Sequence, residues 1–267
     1  MKAWFSKRIG WAAAICVAFS GLAAHAADMS ARDVIQALFK NKSGEPVDLS
    51  GKNLEGLDLA GQDLKGVKLA GANLYGVDLS EAILAGVDLT GAKLDRSTIT
   101  HTDFARAILT NATFLRPSIY SELAPHVGEA PRFTEAHMTG VRIFGRLDFT
   151  DFQGADMTGA RFVGTDGRDE SSGLGHGSYR AANFNGAVLK NATFGGANFS
   201  YAKFKGANLA GADMRNSDLT RADLTEADLT GADVTGANFD EADLSGAKGL
   251  DLVKGLAEAI NIERAVR

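Results

Sequence analysis

Bulky apolar residues recur at every fifth position over most of this 267-residue chain. Leu49, Leu54, Leu59, Leu64 and Leu69 open the series, and it continues in frame to Ile99, Phe104, Leu109 and Phe114. It resumes as Phe133, Met138 and Ile143, slips by one residue to Leu147, Phe152, Met157 and Phe162, and runs again from Phe184 to Leu244. Neither ordinary element accepts this period. Five helical steps of about 100° rotate successive apolar residues by roughly 140°, so no stripe forms. On a flat strand an odd spacing alternates the faces. The pattern is consistent if each repeat is one side of a coil. A triplet such as Ala-Asp-Leu alternates inward, outward and inward, and the next two residues turn a corner. Ala commonly stands two residues before the centre, as at Ala72, Ala197 and Ala222, and Gly two after it, as at Gly51, Gly61 and Gly231. Gly suits the backbone of such a corner. Coils stacked at about 4.8 Å would form a parallel β-solenoid stabilised by nearest-neighbour contacts. The period alone does not set the number of sides.

The tandem units "AGANL", "TGADV" and "GGANF" resemble the pentapeptide-repeat family over nearly all of residues 47–248. The resemblance implies an all-β solenoid, a right-handed quadrilateral parallel β-helix with four pentapeptides per coil. The 34 centres counted in these frames would make about eight such coils.

Residues 1–26 carry a basic start (Lys2, Lys7, Arg8), an uncharged run from Ile9 to Ala24, and Ala24-His25-Ala26 before Ala27. This is the tripartite form of a secretory signal peptide. The run is short for a membrane span. Cleavage between Ala26 and Ala27 would remove the single cysteine, Cys16, and three positive charges, taking the formal net charge from −5 to −8. The expected product is a periplasmic or secreted protein without disulfides and without membrane insertion. A net negative chain is a poor match for nucleic acid or anionic lipid.

Residues 27–46 are expected to cap the N-terminal end with a short helix over 30–40. Ser30 and Asp33 have capping-box spacing, and Val34, Ile35, Leu38 and Phe39 share one face. Residues 249–267 place Leu252, Val253, Leu256 and Ile260 at helical spacing, which predicts a C-terminal capping helix and offers a homodimer contact. Two segments, 115–132 and 165–180, break the rhythm and read as insertions projecting from corners. Loops on a rigid scaffold often carry binding function. Ile119, Tyr120, Leu123 and His126 in the first, and Arg168, His176 and Tyr179 in the second, are the expected contacts to a protein partner.

Chemistry is not indicated. No histidine pair has zinc-site spacing, no nucleophile elbow is present, and "GTDGRD" and "GLGHG" lack the context of a phosphate loop. No catalytic residue, metal or cofactor is expected. Asp213, Asp218, Asp223, Asp228, Asp233 and Asp243 hold the outward position before a centre. They would accept local backbone hydrogen bonds, present an anionic face to a basic partner, or bind divalent cations loosely. The middle of the chain favours arginine: Arg96, Arg106, Arg116, Arg132, Arg142, Arg146, Arg161, Arg168 and Arg180. Twenty-residue coils would place Arg96 under Arg116. Four functions follow: a non-catalytic protein-binding or scaffolding module in the periplasm, a structural envelope protein, more distantly a secreted effector acting in another cell, or, as in the family's best-known role, a duplex-DNA mimic that occupies a topoisomerase. The signal sequence argues against the last.

Overall fold

The computed structural model describes residues 27–40, 45–119, 127–162 and 177–267. Its unit is a turn closed by one hydrogen bond. The Lys52 N–H donates to the Leu49 carbonyl at 3.1 Å, Gln62 to Leu59 at 3.2 Å, and Ala82 to Leu79 at 2.9 Å. The third of the four residues in each turn is left-handed, as a type II turn requires: Gly51 has φ 66° and Gly61 φ 66°. Where glycine is missing, the corner keeps its shape with a strained residue, such as Glu81 (φ 60°), Arg96 (φ 56°) or Tyr201 (φ 61°).

Between corners, three residues pair with the coils above and below. Leu49 N–H donates to Lys68 O at 2.9 Å, and Lys68 N–H donates to Val47 O at 2.9 Å. The parallel pairs Asp48↔Lys68, Asn53↔Asn73, Asp58↔Asp78 and Asp63↔Ile83 are each twenty residues apart, so four pentapeptides complete one coil. Sides 1 to 4 are those that begin with Leu49, Leu54, Leu59 and Leu64. Each side is so short that most pairing is a single bridge. Among the described residues only β1 (Thr113–Leu115) and β2 (Arg142–Phe144), paired in parallel on side 2, form a longer ladder.

The centres and the preceding alanines point inward and are almost wholly buried. Side 4 stacks five phenylalanines. Phe104 and Phe133 are 4.8 Å apart, Phe133 and Phe152 5.2 Å, Phe152 and Phe184 4.9 Å, and Phe184 and Phe204 4.9 Å, with interplanar angles of 11° or less. This column passes unbroken through every irregularity of the chain.

The irregularities are smaller than the sequence suggests. Asp103 pairs with Arg132 and Arg146 with Ser178, so the insertions lie between Ile119 and Arg132 and between Phe162 and Ser178. Ile119 and Tyr179 are centres, five residues after Phe114 and five before Phe184, and both are buried. With them the pentapeptide rod has nine coils. The one-residue slip occurs at Gly145, φ 153°, where a Cβ would lie 3.2 Å from Pro117 Cδ and 3.3 Å from Arg116 Cα.

The ends differ from each other. Helix α1 (Ala31–Lys40) follows the expected capping box: the Asp33 N–H donates to Ser30 Oγ at 3.2 Å and the Ser30 N–H to Asp33 Oδ2 at 3.0 Å. Val34 is buried and Leu38 packs on the core, whereas Phe39 is 88% exposed.

The C-terminal segment is not a helix. It is a tenth coil with six residues per side, in which Lys248, Lys254, Ile260 and Val266 pair with Asp228, Asp233, Asn238 and Asp243. Each hexapeptide begins left-handed, at Gly249 (φ 71°), Gly255 (φ 72°) and Asn261 (φ 56°). A 3-10 turn follows in Leu256–Glu258 and again in Ile262–Arg264. The extra residue tips Leu250, Leu256 and Ile262 over the open end of the core. Sequence spacing suggested a helix because Leu252, Leu256 and Ile260 are four apart. The period that governs is six.

Two glycine substitutions separate backbone strain from crowding. At Gly61 an added Cβ meets nothing within 4 Å, so Gly61→Ala should cost about 1 kcal/mol through its left-handed φ alone. At Gly255 the Cβ would lie 2.6 Å from Thr235 Cα, so Gly255→Ala adds overpacking and should cost roughly 2–4 kcal/mol. Urea unfolding of the two variants checks the order.

Candidate interaction surface

The first insertion leaves the rod after Ile119, at the corner between sides 3 and 4 in coil four. The second leaves after Phe162, at the corner between sides 2 and 3 in coil six. They frame side 3 across coil five, with exit points separated by about 10 Å along the rod. Tyr120, Leu123, His126, Arg168 and His176 lie outside the described residues.

Ile119 and Tyr179 are corrected: they are core residues and not contacts. Ile119 is 1% exposed and Tyr179 0%. The Tyr179 ring stacks on Phe199 at 5.2 Å and its hydroxyl donates to Ile143 O at 3.3 Å. Burial pushes its phenol pKa far above the usual range. A tyrosine with that burial and that partner cannot reach a ligand.

The floor between the insertions is built around Asp148, which sequence reasoning missed. Its Oδ1 accepts from Ser178 Oγ at 2.5 Å and from the Arg180 N–H at 3.0 Å, and its Oδ2 from Arg146 Nε at 3.2 Å. The donors come from coils five and six, on both sides of the second insertion. The carboxylate thus ties coil five to the C-terminal stem of that insertion, and these donors explain how a charge tolerates being nearly buried. The available signal was the slip itself, since the displaced repeat is Arg146-Leu147-Asp148.

Away from the floor, charge follows columns. Asp213 and Asp233, and Asp223 and Asp243, are direct cross-coil neighbours, as the twenty-residue coil demands. Like charges at this spacing repel, and the backbone moderates the cost. Each of the six expected aspartates accepts the N–H two residues on, at 2.9 to 3.2 Å. Hydrogen bonds from the hydroxyls and N–H groups of Thr230, Thr235 and Ser245 hold the Asp228, Asp233 and Asp243 carboxyls below their ordinary range. The guanidinium of Arg215 does the same for Asp213.

Several arginines are also committed within the fold. Arg132 pairs with Asp103 at 2.6 Å, and Arg180 and Arg221 flank the Tyr201 ring at 5.5 and 5.7 Å. Arg96 and Arg116 occupy one corner column, in agreement with the sequence spacing. Among the described residues, no group of three His, Cys, Asp or Glu side chains is placed to hold a metal ion. Nor, among those residues, is any helix long and apolar enough to cross a membrane.

The family model described as pentapeptide repeats matches eight copies, over residues 47–80, 72–111, 180–216 and 217–248. The chain is a member of the pentapeptide-repeat family. HetL, a pentapeptide repeat protein involved in heterocyst differentiation regulation in the cyanobacterium Nostoc, is 21% identical in sequence. The match covers 89% of this chain and 94% of HetL with a TM-score of 0.50, which supports the shared fold. QnrB1, a plasmid-mediated fluoroquinolone resistance protein, is 20% identical over 79% of this chain and 94% of its own, with a TM-score of 0.49. A pentapeptide repeat protein of the Arabidopsis thaliana thylakoid lumen is 31% identical over 46% of this chain and 70% of its own, with a TM-score of 0.26. No curated protein sequence matches the chain.

The hydrogen-bonded aspartates give the rod an acid limit. Their folded pKa values lie below the unfolded value of about 3.9. Their stabilisation is therefore complete above that value and is lost as pH falls through the depressed folded values. The melting temperature should be level from about pH 5 upward and decline below about pH 4. Replacing Asp228, Asp233 and Asp243 by Asn should flatten that decline, as measured by circular dichroism across pH.

Proposed function

We propose that this protein is a non-catalytic scaffold exported to the periplasm, where it presents its two insertions to a protein partner. The observation that carries this reading is the placement of the insertions. They leave adjacent corners of one side within two coils of each other. Coil five lies between them, rigidly tied by Asp148 to the far stem of the second insertion. Rigid stems lower the entropic cost of ordering a loop on a partner. Members of the family are in general non-enzymatic structural or binding modules. The sequence of residues 1–26 supports export, with Ala27 as the mature N-terminus. The C-terminal coil leaves Leu252, Ile260 and Val266 more than half exposed, which supports a homodimer contact at that end, while Val253 and Leu256 pack on the core.

A duplex-DNA mimic is the weaker reading. The Asp213 and Asp233 column favours it, but the same column carries Arg142 and Arg161 lower on side 2. The run of anions is too short to imitate a strand of phosphates, and their oxygens already accept backbone hydrogen bonds.

A photo-crosslinking residue placed separately at Tyr120 and at Arg168 in the native host tests the scaffold. A third placement at Tyr75, an exposed residue of an ordinary side, serves as the control. One discrete protein adduct from either insertion, absent from the Tyr75 control, is the expected result. Clean absence from both, with the protein folded and its N-terminus at Ala27, would replace the scaffold by a purely structural envelope role.

A further inference from the structure

Side 2 of coils three to six carries a set of cations that form no ion pair among the described residues, in a protein whose net charge is negative. Lys93, Arg142 and Arg161 occupy the outward position of one column, and Arg142 and Arg161 are direct cross-coil partners. That pairing sets like charges one strand spacing apart, which is unfavourable. Among the described residues, Lys93, Arg96, Arg142 and Arg161 have no acid within ion-pair distance. Arg96 adds a second cost. It stands at φ 56° on the corner that bounds side 2, where other coils place Gly56, Gly76, Gly196 and Gly236. Charge repulsion and backbone strain thus fall on one patch, and among the described residues no ion pair offsets the repulsion. Strained backbone positions cluster at binding sites, where the surrounding structure holds them.

We propose that side 2 of coils three to six binds an acidic polypeptide segment in an extended conformation. This deepens the scaffold reading, on which it rests, by naming a chemical class for part of the partner. Arginine recognises carboxylates through a planar two-pronged fork. Arg116, next to Arg96 on the corner, lies over the nearly buried Phe144 ring at 5.8 Å, which places its guanidinium beside the patch.

Size separates a peptide from larger polyanions. Four coils span about 15 Å, and an extended chain covers that in about five residues. Two coils beyond Arg161 the same column turns to Asp213 and then Asp233. A nucleic-acid duplex or an anionic bilayer extends beyond the patch and would press against those carboxylates. A short acidic segment stops before them.

Fluorescence anisotropy with a fluorescein-labelled hexaglutamate peptide tests the assignment on the purified protein at low salt. Binding is expected, weakening as salt rises. Arg142→Gln combined with Arg161→Gln should reduce affinity tenfold or more, whereas Lys203→Gln on side 4 should leave it unchanged. Arg96→Gly should weaken binding yet raise the melting temperature, which separates loss of a contact from misfolding. Absence of binding by the unaltered protein, or equal binding by the double variant, overturns the proposal. So does tighter binding of a twenty-base-pair duplex or of phosphatidylglycerol vesicles than of the peptide. Crosslinks from Tyr120 or Arg168 together with no peptide binding would remove this site and leave the scaffold standing.

Discussion

Everything in the rod depends on a left-handed residue at each corner. Without a positive φ every five residues the chain cannot turn inward, the centres cannot converge, and no side can pair with the next. Glycine adopts that conformation without a Cβ penalty, and it fills most of the corners. The residues that replace it accept strain of order 1–2 kcal/mol each, held in place by the ladder on both sides. Such corners are therefore where the fold concedes stability to side-chain chemistry. Arg96, Arg116, Tyr201, Arg221 and Glu241 are all of this kind. Arg221 joins Tyr201 to Glu241, and Glu241 in turn holds Arg264 of the terminal coil.

Because each coil contacts only its neighbours, an insertion at a corner disturbs little beyond its own stems. The side 4 phenylalanines make this visible. Phe104 stacks on Phe133 and Phe152 on Phe184 as closely as Phe184 does on Phe204, although only the last pair is twenty residues apart. The core keeps its geometry while the chain length between its members varies. Asp148 performs the complementary task at the surface, where it fastens the second insertion's C-terminal stem to coil five with hydrogen bonds in place of apolar contact. A solenoid can in this way carry irregular loops on a base that does not move, and the scaffold reading rests on that property.

The surface divides its charges by coil rather than by side. The C-terminal coils stack aspartates whose repulsion is moderated by their own backbone, while on side 2 of coils five and six Arg142 and Arg161 form no ion pair among the described residues. A carboxylate can be satisfied locally because its acceptor oxygens face N–H groups two residues on. A guanidinium only donates, and the outward N–H groups of a corner offer it nothing. This asymmetry explains why the acidic columns look self-contained and the basic patch does not.

The period of five by itself determined the solenoid, the inward centres, the corner glycines and the stacking of residues twenty apart once the family resemblance supplied the coil. Those features are local, repeated many times, and so survive single exceptions. The capping box of α1 was legible for the same reason, since Ser30 and Asp33 act within one turn. The sequence misled where the repeat changed length. Ile119 and Tyr179 were read as loop residues because their neighbours departed from the motif, yet pairing with the coils on either side draws both into the core. The last nineteen residues imitated a helix, and only the free edge of coil nine, which must be hydrogen-bonded and covered, turned them into a hexapeptide coil. Asp148 and the Arg142–Arg161 contact join residues whose separations of 30 and 19 depart from the regular coil. No local pattern encodes such distances. They exist because a rigid ladder brings the chain back into register after each interruption.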